Sequence, residues 1–102
     1  MKILLVCAAG MSTSLMVSSM KDSLEENEKD WIIEAKSAEV FEDVYANYDV
    51  ILLAPQIRYK KTKFEKIANE SSIPVGLIEP ADYGRNNGEN VLNQAKEIYK
   101  NK

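Results

Sequence analysis

The sequence predicts an α/β fold: a four-stranded parallel sheet with helices on both faces. Three observations predict it. Short apolar runs alternate with stretches of helical spacing, in the order β-α-β-α-β-α-β-α. Two of the runs, Lys2–Cys7 and residues 50–54, are apolar almost throughout, as expected of central parallel strands covered on both faces. The first run passes without a break into the Gly- and Ser-bearing stretch from Ala8 to Ser14, and that stretch passes directly into a helix.

Each element has its own justification. Strand 1 is Lys2–Cys7. Helix 1 is expected from about Ser12, an N-cap residue type, to about Asn27, with Leu15, Met16, Met20 and Leu24 on one face and Val17 alongside. Residues 25–30 form a polar connection. Strand 2 covers 31–36, and its polar Glu34 and Lys36 place it nearer an edge. Ser37 suits the cap of a short helix 2, with Glu39 in its first turn and Val40, Phe41, Val44 and Tyr45 apolar. Strand 3 covers 50–54 and Pro55 ends it. Residues 56–59 are a loop or a first turn, and helix 3 follows over about 60–70, with Phe64, Ile67 and Ala68 apolar. After a break at Ser71-Ser72, strand 4 covers 73–78, with Pro74 near its start where a missing donor is tolerated. Residues 79–87 read as loop, since Pro80, Gly84 and Asn86-Asn87-Gly88 are turn formers. Helix 4 runs over about 89–99 with Val91, Leu92, Ala95 and Ile98 on one face.

Right-handed crossovers, with strands 1 and 3 in the middle, give the order 2-1-3-4. This is the arrangement of flavodoxin-like and low-molecular-weight-phosphatase-like folds. Ligands in such sheets bind at the carboxyl edge, beside the switch point between strands 1 and 3. The loops after Cys7 and after Ala54 meet there. One domain over 1–102 is expected, without internal repeats.

Composition narrows the function. A net charge of −3 and a pI near 5.0 supply no basic field for nucleic acid. The single cysteine excludes an internal disulfide and a cysteine metal cluster, so no metal is expected, and a lone thiol suits a reducing compartment. With no histidine, the commonest general base is missing and this chain cannot itself carry a phosphohistidine. The apolar start is at the short limit for a signal peptide and breaks at Gly10, and Val6 is too bulky for a lipoprotein box before Cys7. The start therefore reads as the first strand of a cytoplasmic protein, and no segment approaches the ~20 apolar residues that would span a membrane.

The candidate chemistry lies at Cys7. A thiolate is a strong nucleophile, and the amino end of a helix favours anions. Residues Ala8, Ala9, Gly10, Met11, Ser12, Thr13 and Ser14 offer seven backbone N–H groups, and three of them add hydroxyls. Gly10 permits a positive-φ turn. Such a loop could wrap phosphoryl oxygens while sulfur attacks phosphorus. The bland alternative is a small core cysteine at a strand end, with Ser12 as a simple cap. A tyrosine-phosphatase site needs Cys-x5-Arg, and here the sixth residue after Cys7 is Thr13. A receiver domain needs an Asp ending strand 3, where Ala54-Pro55 stands instead. A flavin site needs a longer phosphate loop.

Cys7 followed by Gly10-Met11-Ser12-Thr13-Ser14-Leu15 resembles the signature of the IIB components of the lactose/cellobiose (and diacetylchitobiose) group of the bacterial sugar phosphotransferase system. The resemblance continues at Ala54-Pro55-Gln56-Ile57-Arg58-Tyr59, where the family usually reads Gly-Pro-Gln, then at Asp82-Tyr83-Gly84, Gly88, Val91-Leu92 and Ala95. Ala8 and Ala9 replace more polar residues and Ala54 replaces Gly, which leaves the nucleophile and the hydroxyls intact. The resemblance implies a phosphoryl relay without a cofactor. A phosphohistidine on a IIA protein donates to Cys7, and phospho-Cys7 donates to a disaccharide bound in the membrane protein IIC. It does not imply which sugar. Two other classes stay open: a cysteine-dependent phosphatase-like hydrolase, which the missing Arg opposes, and a non-catalytic module that binds a partner through the same edge.

Other residues carry two readings each. Gln56 and Tyr59 either contact phosphate or partner or pack a loop. Asp82, with Tyr83, lies at the site edge or builds the turn after strand 4. Arg58, Lys60, Lys61 and Lys63 either meet an acidic partner or form a solvated helix face. Met11 is either an exposed partner contact or a core residue.

Overall fold

The computed structural model describes residues 1–8 and 14–102. Four strands, β1 (Lys2–Cys7), β2 (Ile32–Ser37), β3 (Val50–Leu53) and β4 (Val75–Leu77), form one sheet in the order β2-β1-β3-β4, with every pairing parallel. Among the described residues five α-helices accompany them: α1 (Ser14–Asp22), α2 (Phe41–Val44), α3 (Lys61–Asn69), α4 (Pro80–Gly84) and α5 (Gly88–Lys100). The expected strand order and the helices on both faces are present.

Period-two alternation splits the core in two. Ile3, Leu5, Val50 and Leu52 face α1 and α5, where Met16, Met20, Val91, Leu92 and Ala95 meet them. Leu4, Val6, Ile51 and Leu53 face the other way, onto Phe41, Ile57, Phe64 and Ala68. The rings of Phe41 and Phe64 stack with centroids 3.9 Å apart. Because β1 and β3 are covered on both faces, neither tolerates a polar side chain between Ile3 and Val6 or between Val50 and Leu53. β2 is an edge strand, and its Ile32, Glu34 and Lys36 are exposed while Ile33 is buried.

The differences from the expected elements have local causes. Helix α1 ends at Asp22 rather than near Asn27, because Glu25 and Glu28 close a separate short 3-10 turn, Glu26–Glu28, with a reciprocal capping box. The short second helix is a 3-10, α, 3-10 succession from Ala38 to Asn47; Ser37 stands at its cap position without a side-chain cap bond. Strand β4 is shorter than the 73–78 run. The stretch expected as loop over 79–87 contains α4, which Pro80 opens at a first-turn position where its missing N–H is harmless. Asn86, at φ 54°, then reverses the chain into α5, whose Asn87 side chain accepts from the Asn90 N–H at 3.1 Å.

α1 and α5 approach closely at Gly88. Gly88 N–H donates to Ser19 Oγ at 3.0 Å, and the same hydroxyl donates to the Asn86 carbonyl at 3.0 Å. A Cβ on Gly88 would overlap the backbone of Ser19 and Met20. Gly88→Ala is therefore expected to cost about 1–3 kcal/mol through forced separation of the two helices, read as a lower denaturant midpoint at unchanged slope.

One ion pair is shielded. Lys96 Nζ lies 2.7 Å from Glu28 Oε2, with the Glu28 side chain 9% exposed. Glu28 Oε1 also accepts from the Glu25 N–H at 3.0 Å. The hydrogen bond from Lys96, then that from Glu25, hold the Glu28 carboxyl below its ordinary value of 4.5 against an opposing desolvation. A carboxyl lowered in the folded state stabilises the fold above its unfolded value and loses that stabilisation as pH falls through the folded value. Glu28→Gln should thus be less stable than the parent by about 1–2 kcal/mol at pH 7, with the gap closing below about pH 4.5 in a pH series of thermal unfolding.

Candidate functional site at the carboxyl edge

The site is assembled where β1 and β3 end side by side. β1 stops at Cys7, in register with Ser37 of β2. β3 stops one residue before Ala54, whose N–H donates to the Val6 carbonyl at 2.8 Å. The two loops that leave these strands therefore start at the same level of the sheet and diverge, one toward α1 and one toward α3. This is the switch point of the strand order.

Cys7 is buried and Ala8 is exposed, so the thiol stands at the last buried position before the chain reaches solvent. Ala9, Gly10, Met11, Ser12 and Thr13, expected as most of the phosphate loop, lie outside the described residues. So does the expected cap Ser12. Ser14 opens α1 and is exposed, and α1 runs from this edge down the face of the sheet toward α5.

On the other side of Cys7, Pro55–Lys60 forms a 3-10 stretch kinked at Ile57 (φ −116°, ψ 26°). The kink turns Ile57 into the core, 1% exposed, and leaves Gln56, Arg58 and Tyr59 outside. Tyr59 is 75% exposed. With Ala8, Ala38, Glu39, Ile57 and Lys60 it lines a pocket of about 270 Å³. Ala8 and Tyr59 thus share one wall system, while Gln56 stands on the preceding turn and does not line it. Arg58 Nη1 donates to the Pro55 carbonyl at 3.3 Å, and Lys60 Nζ lies 5.5 Å from the Tyr59 ring centroid.

Asp82 has a defined structural role. Its carboxylate accepts from Asn90 Nδ2 at 3.0 Å and its carbonyl from the Asn87 N–H at 2.8 Å, tying α4 to the start of α5. Ala38 and Glu39 were absent from the expected site. The signal for them was topological: the residues after strand 2 leave the sheet at the same carboxyl edge. Among the described residues no group of three or more His, Cys, Asp or Glu side chains could hold a metal ion. No helix among them is long and apolar enough to cross a membrane.

A family model described as PTS system, Lactose/Cellobiose specific IIB subunit, matches residues 2–94. The chain belongs to this family. The IIB chain is 41% identical over 101 residues to the galactose-specific EIIB component of Lactococcus lactis subsp. cremoris (strain MG1363), covering 94% of each chain. It is 40% identical over 101 residues to the cellobiose-specific EIIB component of Lactococcus lactis subsp. lactis (strain IL1403), again over 94% of each. Among solved structures, the solution structure of the cellobiose-specific IIB component from Borrelia burgdorferi matches with a TM-score of 0.81 at 41% identity, over 100% of this chain and 94% of that one. The lactose-specific IIB domain from Streptococcus pneumoniae shares the fold at a TM-score of 0.85 and 21% identity, over 97% of each chain. As a IIB component, the chain is a sugar-specific part of a phosphotransferase system.

Ile57 is what fixes the second loop beside Cys7. Ile57→Ala should cost about 2–5 kcal/mol in stability, measured by denaturant unfolding, because the side chain is fully enclosed.

Proposed function

We propose that the IIB chain is a cytoplasmic, single-domain phosphocarrier over residues 1–102 and that Cys7 is the group that carries phosphate. The reading rests chiefly on one observation. The only cysteine closes the central strand at the switch point, at the edge from which α1 departs. The thiolate sulfur attacks phosphorus of a phosphohistidine on a IIA protein; the N–P bond breaks as the S–P bond forms, and the imidazole leaves. In the second step a hydroxyl of a disaccharide held by the membrane protein IIC attacks the same phosphorus. The S–P bond breaks, an O–P bond forms, the hydroxyl proton passes to solvent or to IIC, and the thiolate returns.

The loop from Ala8 to Ser14 supplies the phosphate contacts in this reading. Backbone N–H groups and hydroxyls spread over the phosphoryl oxygens stabilise the charge without activating water. That matches the needs of a carrier, whose intermediate must outlive the search for its acceptor. The chain has no histidine, and the residue six after Cys7 is Thr13 rather than an arginine. A hydrolase would want both a clamp for the transition state and a base for water. Gln56 and Tyr59 are site-edge or partner contacts in the same reading.

The names of the relatives specify galactose, cellobiose and oligo-beta-mannoside, and they support a sugar of this range as the cargo of the system. Discrimination among these belongs to IIC, which holds the sugar.

Intact-protein mass spectrometry tests the carrier reading. After incubation with phosphoenolpyruvate, the general phosphotransferase proteins and a IIA, wild type should gain one phosphoryl group and Cys7→Ser none. A phosphorylated IIA that leaves wild type unmodified defeats the reading, and turnover of p-nitrophenyl phosphate by that sample would point to a hydrolase instead.

A further inference from the structure

The charge of this chain is unevenly placed. Residues 58–68 carry five cations and one carboxylate, while the other 91 residues carry eight cations and fifteen carboxylates. A concentrated positive segment in an acidic protein begins shortly after β3, at the carboxyl edge, and continues into α3.

Not all of that charge is available. Lys61 Nζ pairs with Glu65 at 3.2 Å on the same helix, and Lys63 Nζ lies 3.9 Å from Glu42. Among the described residues Arg58 and Lys60 have no carboxylate partner: Arg58 reaches only the Pro55 carbonyl, and Lys60 lies over the rings of Tyr59 and Phe64. Between them Tyr59 stands 75% exposed, and Lys60, Tyr59 and Ala8 line the pocket of about 270 Å³. Glu39 lines the same pocket. One of these cations, Lys60, and the outward Tyr59 thus share a recess with the residue that follows Cys7, and Arg58 directly precedes them in the chain. An exposed aromatic beside a recess is the form of an interface anchor, and the flanking cations select an acidic counterpart.

We infer that Arg58, Tyr59 and Lys60 form the docking surface for the phosphoryl donor protein, and that this donor presents a carboxylate-rich rim around its phosphorylated residue. The inference rests on the carrier reading. The charge balance favours the donor over the acceptor as occupant. A phosphorylated donor is most anionic before transfer, when the Cys7 side carries no phosphate. Transfer moves roughly −1.5 to −2 charges beside Arg58 and Lys60 and neutralises the field that drew the acidic rim in. Attraction is strongest for the productive encounter and weakest for the spent pair.

Stopped transfer assays with the phosphorylated IIA of a lactose/cellobiose-type system test this. Arg58→Gln with Lys60→Gln should lower the second-order rate of Cys7 phosphorylation by about tenfold at low salt, and the parent's rate should fall with ionic strength while the variant's stays nearly flat. Tyr59→Ala should raise the donor concentration for half-maximal rate at any salt. The charge-matched Lys29→Gln with Lys100→Gln, near the opposite edge of the sheet, should behave as parent, and thermal unfolding checks that every variant is folded. Phosphorylation of the parent that is indifferent to these changes overturns the docking surface and leaves the carrier reading standing. No phosphorylation of the parent overturns both. Unchanged transfer together with loss of binding to phosphatidylglycerol-containing vesicles in the Arg58/Lys60 variant would assign the patch to a membrane surface and overturn its assignment to the donor.

Discussion

Two-sided burial of β1 is the constraint on which the rest of the structure depends. Ile3 to Val6 are fully enclosed, so each residue must meet a partner layer on whichever face its side chain points. That demand places α1 and α5 on one face and α2 and α3 on the other. It also leaves the carboxyl end of β1 as the place where the strand must stop being apolar. A thiol is the natural residue for that transition: small enough to end a packed strand, and chemically distinct from the Val, Leu and Ile before it. The Cys7 thiol thus stands at the end of a strand enclosed on both faces.

The helix that follows is placed from the far side. The described span of α1, Ser14–Asp22, is held in place by packing. Met16 and Met20 anchor it on the sheet, and the Ser19 hydroxyl joins it to Asn86 and Gly88. The turn between α4 and α5 is therefore a structural support of the helix that starts beside Cys7. Asp82 belongs to the same support, through Asn90 and Asn87. Its place in the chain after β4 is explained by this turn.

Strand order and both cores could be read from the sequence because they follow from patterning: unbroken apolar runs for β1 and β3, and polar Glu34 and Lys36 on β2. Helix ends could not. The end of α1 is decided by the Glu25–Glu28 capping box, a reciprocal contact that competes with helical spacing continuing to Leu24. The segment 79–87 is dense in Pro, Gly and Asn, and its turn chemistry hid α4, since Pro80 both breaks and begins helices. At the site, Cys7, Ala8 and Tyr59 could be placed by topology alone. Ala38 and Glu39 belong to the 3-10 turn that follows β2, a stretch whose sequence carries no chemical motif, so only the shared edge of the sheet points to them.

Charge is partitioned along the strand direction. At the amino edge, Asp49 accepts from the Lys2 N–H at 2.8 Å and the Asp49 N–H returns to the Lys2 carbonyl at 2.8 Å, closing β1 against the start of β3. Glu28 and Lys96 form their shielded pair before β2 begins. These charges are consumed by the fold. At the carboxyl edge Arg58 and Lys60 are held near aromatic rings and a carbonyl, contacts that position a cation without neutralising it. Under the proposed carrier reading, an acidic protein that meets a phosphorylated donor gains from this separation. The cations of residues 58–68 then stand as a local exception in a chain of net charge −3, and they bias the encounter of an anionic partner toward that segment.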